Sequence, residues 1–204
     1  MTMRLDRKLM AALAALALAP LAGAEPSDRY VQDVMKRDFH AKGQAKMDRM
    51  EQDVVQRICT ASNDRPPSGL AKVLEGDQMK TIVWPADGKL LGNWKEGAKI
   101  AWSGRGMQWN EDPKKPSGGG CYNCHIISPE RESAGTIGPS LRGFGKIRGY
   151  GIETQRYVYG KIYNAKAYNL CSHMPRFGHT GTLTEQQIKD LTAYLLDPQS
   201  PVNQ

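Results

Sequence analysis

The stretch GGGCYNCHIISPE, residues 118–130, contains the pentapeptide C-Y-N-C-H at residues 121–125. Two cysteines separated by two residues and followed at once by a histidine form the attachment signature of c-type haem. Each thiol can add across one vinyl group of the porphyrin, which holds the histidine beneath the iron. We therefore predict that Cys121 and Cys124 form the thioethers of one covalently bound haem c, with His125 as the proximal iron ligand.

Two other kinds of site use closely spaced cysteines, and this chain matches neither of them well. A thioredoxin-like dithiol needs a βαβ setting, and the sequence pattern around residue 121 shows none. A zinc site needs a second, close pair of ligands, for which Cys171 and His173 are a poor candidate. Haem attachment therefore remains the prediction.

The sixth ligand of the iron has several candidates. Met174 lies in HMPRFG, residues 173–178, about fifty residues after the pentapeptide. Pro175 and Gly178 favour a loop, from which a side chain can project into a pocket. Because histidine and methionine together form a common haem ligand pair, we predict Met174 as the distal ligand. The alternatives are water or one of four side chains: His173, His179, His40 and Met107.

Gly138-Pro139 follows the haem motif in a stiff loop. A metal-bound imidazole normally donates its second ring N–H, often to a backbone carbonyl. Pro139 is therefore a candidate partner of His125, and an ordinary Gly-Pro turn is the alternative.

The first residues of the chain predict export. Residues 1–8 carry three basic side chains, residues 9–23 are apolar, and residues 22–24 form a small-x-small cleavage site. The apolar run is shorter than the roughly 20 residues that a membrane span needs. We expect a signal peptide, residues 1–24, that is cleaved to leave a periplasmic protein with no membrane span. An uncleaved anchor is the alternative.

Cys59 and Cys171 lie outside the haem motif and far apart in the sequence. In an oxidising compartment, two remaining cysteines commonly form a disulfide. We predict a bond between them, and the alternatives are a bond to a partner chain or a free thiol.

The chain has a formal net charge of +7, and without residues 1–24 it holds 25 basic and 20 acidic residues. This mild excess favours acidic protein surfaces or small anions as partners. Because no basic helix or aromatic platform is evident, we expect no nucleic-acid binding.

Hydrophobic periodicity predicts a mostly α fold. The segments predicted to be helical are 28–59 with a kink at Gly43, 69–80, 93–104, 154–169 and 185–197. The last of them opens with a capping box, Thr184 to Gln187. Residues 81–92 are predicted to be extended, with a turn at 86–88.

Residues from about 93 to 197 resemble a class I cytochrome c. The order of features is a helix, CYNCH, a Gly-Pro loop, a Met-Pro loop and a final helix that crosses the first. Most of the chain is similar to the SoxX family, the monohaem subunits of SoxAX cytochromes. The resemblance is carried by WPADGKLLGNWKEG, GGGCYNCHIISPE, GTIGPSLRGFGK, YGKIYNAKAYNLCSHMPRFGH and LTEQQIKDLTAYLLDP.

We predict three parts of the chain: the signal peptide 1–24, a helical N-terminal extension 25–92 that contacts a partner, and a cytochrome c domain 93–204. The resemblance implies thioethers from Cys121 and Cys124, and iron ligation by His125 and Met174.

The same resemblance implies a heterodimer with a SoxA-like haem subunit in periplasmic thiosulfate oxidation. That enzyme, an L-cysteine S-thiosulfotransferase, joins thiosulfate oxidatively to a cysteine of the carrier protein SoxYZ. Catalysis is expected on the partner, and we expect no catalytic residue in this chain. The haem here would accept electrons and pass them to a small soluble cytochrome c. One alternative is a free-standing soluble periplasmic cytochrome c that shuttles electrons, and another is a haem enzyme or gas sensor with a vacant distal side.

Overall fold

The computed structural model describes residues 28–129 and 133–204. The predicted signal peptide, residues 1–24, lies outside the described residues. The chain divides into two units, residues 1–40 and residues 41–204. In the first unit, helix α1 spans Asp28–Asp38. Tyr30, Val31 and Phe39 in this unit are exposed.

The second unit is built from helices joined by loops. Its α-helices are α2 Val54–Ala61, α3 Ser68–Lys80, α4 Trp94–Trp102, α5 Phe144–Arg148, α6 Ile152–Tyr163 and α7 Glu185–Leu196. Short 3₁₀ helices span Met47–Met50, Cys121–Asn123, Ala165–Ala167 and Pro201–Asn203. The prediction of a mostly α chain is confirmed, since the described residues contain only one isolated antiparallel bridge and no strand. Among these residues, no helix has the length and apolarity to cross a membrane.

The prediction of one kinked helix over residues 28–59 is wrong in its middle. Gly43 adopts a left-handed backbone conformation, φ +53°, inside a tight turn in which Lys42 and Ala45 pair. The helical pattern resumes at α2, whose N-cap Asp53 accepts the backbone N–H of Gln56. A left-handed turn and a new N-cap end one helix and begin another, although the apolar spacing continues across them.

Helices α4 and α7 pack against each other at the centre of the second unit. Gly97 of α4 allows this close crossing, because a Cβ there would collide with the backbone carbonyl of Asp190 in α7. The Asp190 carboxylate also accepts the backbone N–H of Asn93, at 2.8 Å. The predicted capping box of α7 is confirmed, with Thr184 and Gln187 each bonding the other's backbone N–H.

Residues of the predicted extension contribute to the main core. Ile82 and Leu90 are buried in the same apolar cluster as Tyr159 of α6 and Ile188 of α7. A second, smaller cluster contains Val55, Cys59 and Leu170. The boundary placed at residue 93 remains a prediction, while residues 41–204 pack as one unit.

Candidate haem attachment site

The pentapeptide at residues 121–125 forms one tight turn. Gly120, at φ +56°, precedes the 3₁₀ helix Cys121–Asn123. The backbone N–H groups of Cys124 and His125 both donate to the carbonyl of Cys121, at 3.1 and 2.9 Å. The turn therefore presents two thiols and an imidazole from a single short segment.

The two thiols of this turn are not joined in a disulfide. Burial raises the pKa of the Cys121 thiol to about 12, so that this group is a neutral thiol at physiological pH.

A second backbone segment runs alongside the turn. Gly135 donates its N–H to the carbonyl of Tyr122, and Gly138 donates to that of Cys124, both at 2.8 Å. A Cβ at Gly135 would collide with the backbone carbonyl of Asn123. The small residues thus let this segment approach closely enough to touch the histidine that follows.

His125 is oriented by this segment. Its Nδ1 lies 2.7 Å from the carbonyl oxygen of Pro139. Because a carbonyl only accepts, Nδ1 carries the proton and Nε2 keeps the lone pair that a metal needs. Gly138 lies against the same ring, and a Cβ there would collide with Cε1.

Tyr122 connects the turn to the core. Its buried hydroxyl lies 2.8 Å from the hydroxyl of Ser128 and 2.7 Å from that of Tyr194 in α7. The sequence offered no sign of this network, because residues 122 and 194 are far apart in the chain.

The candidates for the sixth ligand differ in their surroundings. Met174 is partly buried and packs against the main core, as does Cys121. The His173 side chain is 84% exposed and bonded to Asp64. The other candidates are also exposed: His40, Met107 and His179. Met174 is therefore the candidate that the structure shows partly buried against the core that holds the attachment turn.

The loop that carries Met174 is attached to α2. Cys171 and Cys59 form the predicted disulfide. Arg176 Nη2 lies 2.6 Å from Oδ2 of Asp53, the N-cap of α2. Sequence reasoning did not find Asp53, although Asp-Val-Val-Gln at residues 53–56 matches a capping box.

An open cleft of about 370 Å³ lies beside this loop, between α2 and residues 171–180. The Asp64 carboxylate approaches the sulfurs of Cys59 and Cys171 to within 4.8 Å. The two sulfurs are bonded to each other. They are therefore not available as thiolate metal ligands, and we assign no metal to this cluster.

The donors of the attachment turn match the chemistry of covalent haem. The thiols of Cys121 and Cys124 and the His125 imidazole, with its oriented Nδ1–H, all lie in one short turn. The Cys121/Cys124 pair is thus consistent with a single covalent haem c. The His125 imidazole and the Met174 thioether remain the predicted iron ligands.

The chain is similar to known proteins over different parts of its length. The family model described as "Cytochrome c" matches residues 114–198. A protein of Aquifex aeolicus (strain VF5) described as an uncharacterized lipoprotein is 38% identical over 154 residues, covering 74% of this chain and 73% of its own length. A chain in the crystal structure of SoxXA from P. pantotrophus is 27% identical, with 52% of this chain and 82% of that chain covered and a TM-score of 0.37.

Proposed function

We propose, on the premise that this chain belongs to the family of the Aquifex aeolicus lipoprotein and contains a cytochrome c domain, that it is the electron-transfer subunit of a SoxAX-like complex. The complex would join thiosulfate to a cysteine of a SoxYZ-like carrier protein. Forming one S–S bond between a thiosulfate sulfur and a cysteine thiolate releases two electrons. The bond would form on a SoxA-like partner, and this chain would pass the electrons to a small soluble cytochrome c.

The observation that best supports a role in electron transfer is that Met174 packs against the same core as Cys121. Haem c, when bound, supplies an iron that alternates between its ferrous and ferric states. A methionine opposite a histidine raises the reduction potential of such an iron and occupies the position that a substrate would need. This ligand pair supports electron transfer and disfavours the haem enzyme or gas sensor.

The chain's own residues would hold and tune the haem. Cys121 and Cys124 would form the covalent bonds, and His125 would offer its Nε2 to the iron. The Pro139 carbonyl fixes the tautomer and the ring orientation of His125, and raises its basicity. Met174 would supply the thioether from the opposite side.

The assignment to a SoxAX-like complex is supported by the extent of the sequence resemblance. The stretch YGKIYNAKAYNLCSHMPRFGH, residues 159–179, is more specific than the haem motif itself. It contains the C-terminal end of α6, the disulfide-bonded Cys171 and the proposed ligand Met174. A predicted signal peptide and the description of the Aquifex relative as a lipoprotein support a periplasmic location.

Exposed apolar side chains support a partner. Ile137 is 85% exposed and directly precedes Gly138, which lies against the His125 ring. Ile147 in α5 is 75% exposed between Lys146 and Arg148. Apolar groups beside basic ones are suited to an acidic face of the partner haem subunit.

The proposal is tested by isolating the tagged mature chain from its source organism under native conditions. We expect a haemochrome spectrum of one c-type haem per chain, together with a second haem subunit in a stable heterodimer. Thiosulfate should reduce the haem of this chain only when that subunit and the carrier protein are present. A strictly monomeric chain that exchanges electrons with other cytochromes would instead establish the free-standing shuttle.

A further inference from the structure

Met174 lies between two attachments to one helix. Three residues before it, Cys171 is bonded to Cys59 in the last turn of α2. Two residues after it, Arg176 pairs with Asp53 at the N-cap of the same helix. Residues 171–176 therefore run alongside α2, attached near both of its ends.

The two attachments differ in kind. The disulfide is covalent. The Arg176 side chain is 11% exposed and that of Asp53 is 39% exposed, so that solvent screens this pair less than it screens a fully exposed pair. Asp53 is itself held in place, since its carboxylate accepts the backbone N–H of Gln56 at 2.8 Å. The ion pair between His173 and Asp64 is 84% and 48% exposed and contributes little by comparison.

The chain on either side of this loop is also anchored. Leu170 donates its backbone N–H to the Glu75 side chain of α3, at 3.0 Å. Gly178 and His179 both donate to the carbonyl of Tyr163 in α6, at 3.1 Å. The Met174 loop is thus a short span with fixed ends, which restricts the backbone conformations that its centre can adopt.

We infer that Asp53 and Cys59 are positioning residues that hold the Met174 thioether at the iron. The inference rests on the proposed ligation by Met174 and assigns part of the N-terminal extension to the haem site. Without an attachment, the loop would spend more time with the thioether away from the iron. An added ligand binds only that state, so that its apparent dissociation constant falls as the state becomes more populated.

Imidazole titration of the ferric holoprotein measures this population. We expect imidazole to bind about threefold more tightly to Asp53→Asn, and about tenfold more tightly when Cys59 and Cys171 are both replaced by Ser. The matched control is Asp77→Asn, which removes an exposed ion pair with Lys80 in α3. Its imidazole affinity should equal that of the wild type.

Substitution of Arg176 separates the ion pair from other effects. Arg176→Gln should bind imidazole as tightly as Asp53→Asn does, and the double variant should bind no more tightly than either single one. Arg176→Lys keeps a cation near Asp53 and should restore most of the wild-type resistance to imidazole. A merely structural role would lower the unfolding midpoint without changing imidazole affinity.

Wild-type imidazole affinity in both the Asp53→Asn and the disulfide variants would overturn the inference. If the disulfide variant does not mature, a dithiol can reduce the bond in the wild-type holoprotein. Carbon monoxide affinity of the ferrous haem then reports the same opening, and an unchanged affinity would be equally decisive. A wild type that binds imidazole as tightly as Met174→Ala would overturn the ligation itself, which distinguishes that failure from a failure of the attachments.

Discussion

His125 and Pro139 are joined by a hydrogen bond of 2.7 Å from Nδ1 to the backbone carbonyl, and Gly138 lies against the imidazole ring. The bond requires the segment around Gly138 to pass close to the ring. Any side chain at that position would push the ring and the carbonyl apart.

Gly138→Ala is therefore expected to lower the free energy of unfolding of the holoprotein by about 1–3 kcal/mol, as overpacked sites do. The yield of covalently attached haem should fall as well, because the histidine is displaced. Gly151→Ala is the control, since nothing lies within 4 Å of its added Cβ. Denaturant unfolding and the haemochrome spectrum measure both effects, and equal behaviour of the two variants would contradict the packing argument.

Glycines within two helices are expected to respond in opposite ways to alanine. Gly97→Ala should destabilise the protein by about 1–3 kcal/mol, because its Cβ would collide with the Asp190 backbone of α7. Gly76→Ala lies in α3 with open space around it and should stabilise by about 0.5–1 kcal/mol through helix propensity. Thermal unfolding of the two variants provides the measurement, and a stable Gly97→Ala would show that the helices can separate without cost.

Loss of the disulfide is expected to destabilise the folded protein. Cys59 and Cys171 are separated by 112 residues, and a cross-link over a long loop restricts the unfolded chain. Replacing both by Ser should lower the free energy of unfolding by about 2–4 kcal/mol. Denaturant midpoints of the oxidised wild type and the variant test this, and coinciding midpoints would refute it.

Asp53 is expected to make stability depend on pH in the acid range. Burial alone would raise the pKa of its carboxyl, but the Gln56 N–H and the Arg176 guanidinium outweigh it and hold the pKa below its usual value. A depressed pKa adds stability that is present above the unfolded pKa of about 3.9 and is lost as pH falls through the folded pKa.

Asp53→Asn should therefore unfold more easily than the wild type at pH 7, by about 1 kcal/mol since the carboxylate is partly exposed. The difference should shrink below about pH 4, where the wild-type carboxyl also becomes neutral. Unfolding midpoints measured across this range provide the test. A difference that stays constant with pH would assign the effect to packing and not to charge.

Met174→Ala is expected to retain covalent haem, because the thioethers come from Cys121 and Cys124. The variant should lose the charge-transfer band between the haem iron and the methionine sulfur, and its haem should have a lower reduction potential. It should also bind imidazole at least about tenfold more tightly than the wild type. Met107→Ala, at an exposed methionine, should leave all three unchanged. An unaltered spectrum in Met174→Ala would assign the sixth position to another ligand.

Local patterns in the sequence were enough to find several parts of the fold. The capping box at Thr184 and Gln187 predicted the start of α7, because a helix terminus is set by residues three apart. The prediction of one helix over residues 28–59 was wrong in its middle. The apolar spacing continues along the sequence, but the helix is interrupted by the turn at Gly43 and begins again after the N-cap Asp53. Periodicity reports which face is apolar and does not report where the backbone changes direction.

The sequence by itself determined the haem attachment turn, since the chemistry of Cys121, Cys124 and His125 depends on their adjacency in the chain. The number and positions of the cysteines also indicated that Cys59 pairs with Cys171, because these are the two cysteines outside the haem motif. Only the tertiary structure decided that Arg176 pairs with Asp53, and that Tyr122 shares a hydrogen bond with Tyr194. Contacts between residues so far apart depend on how the helices pack, and helix packing depends on the whole set of side-chain shapes and not on any local pattern.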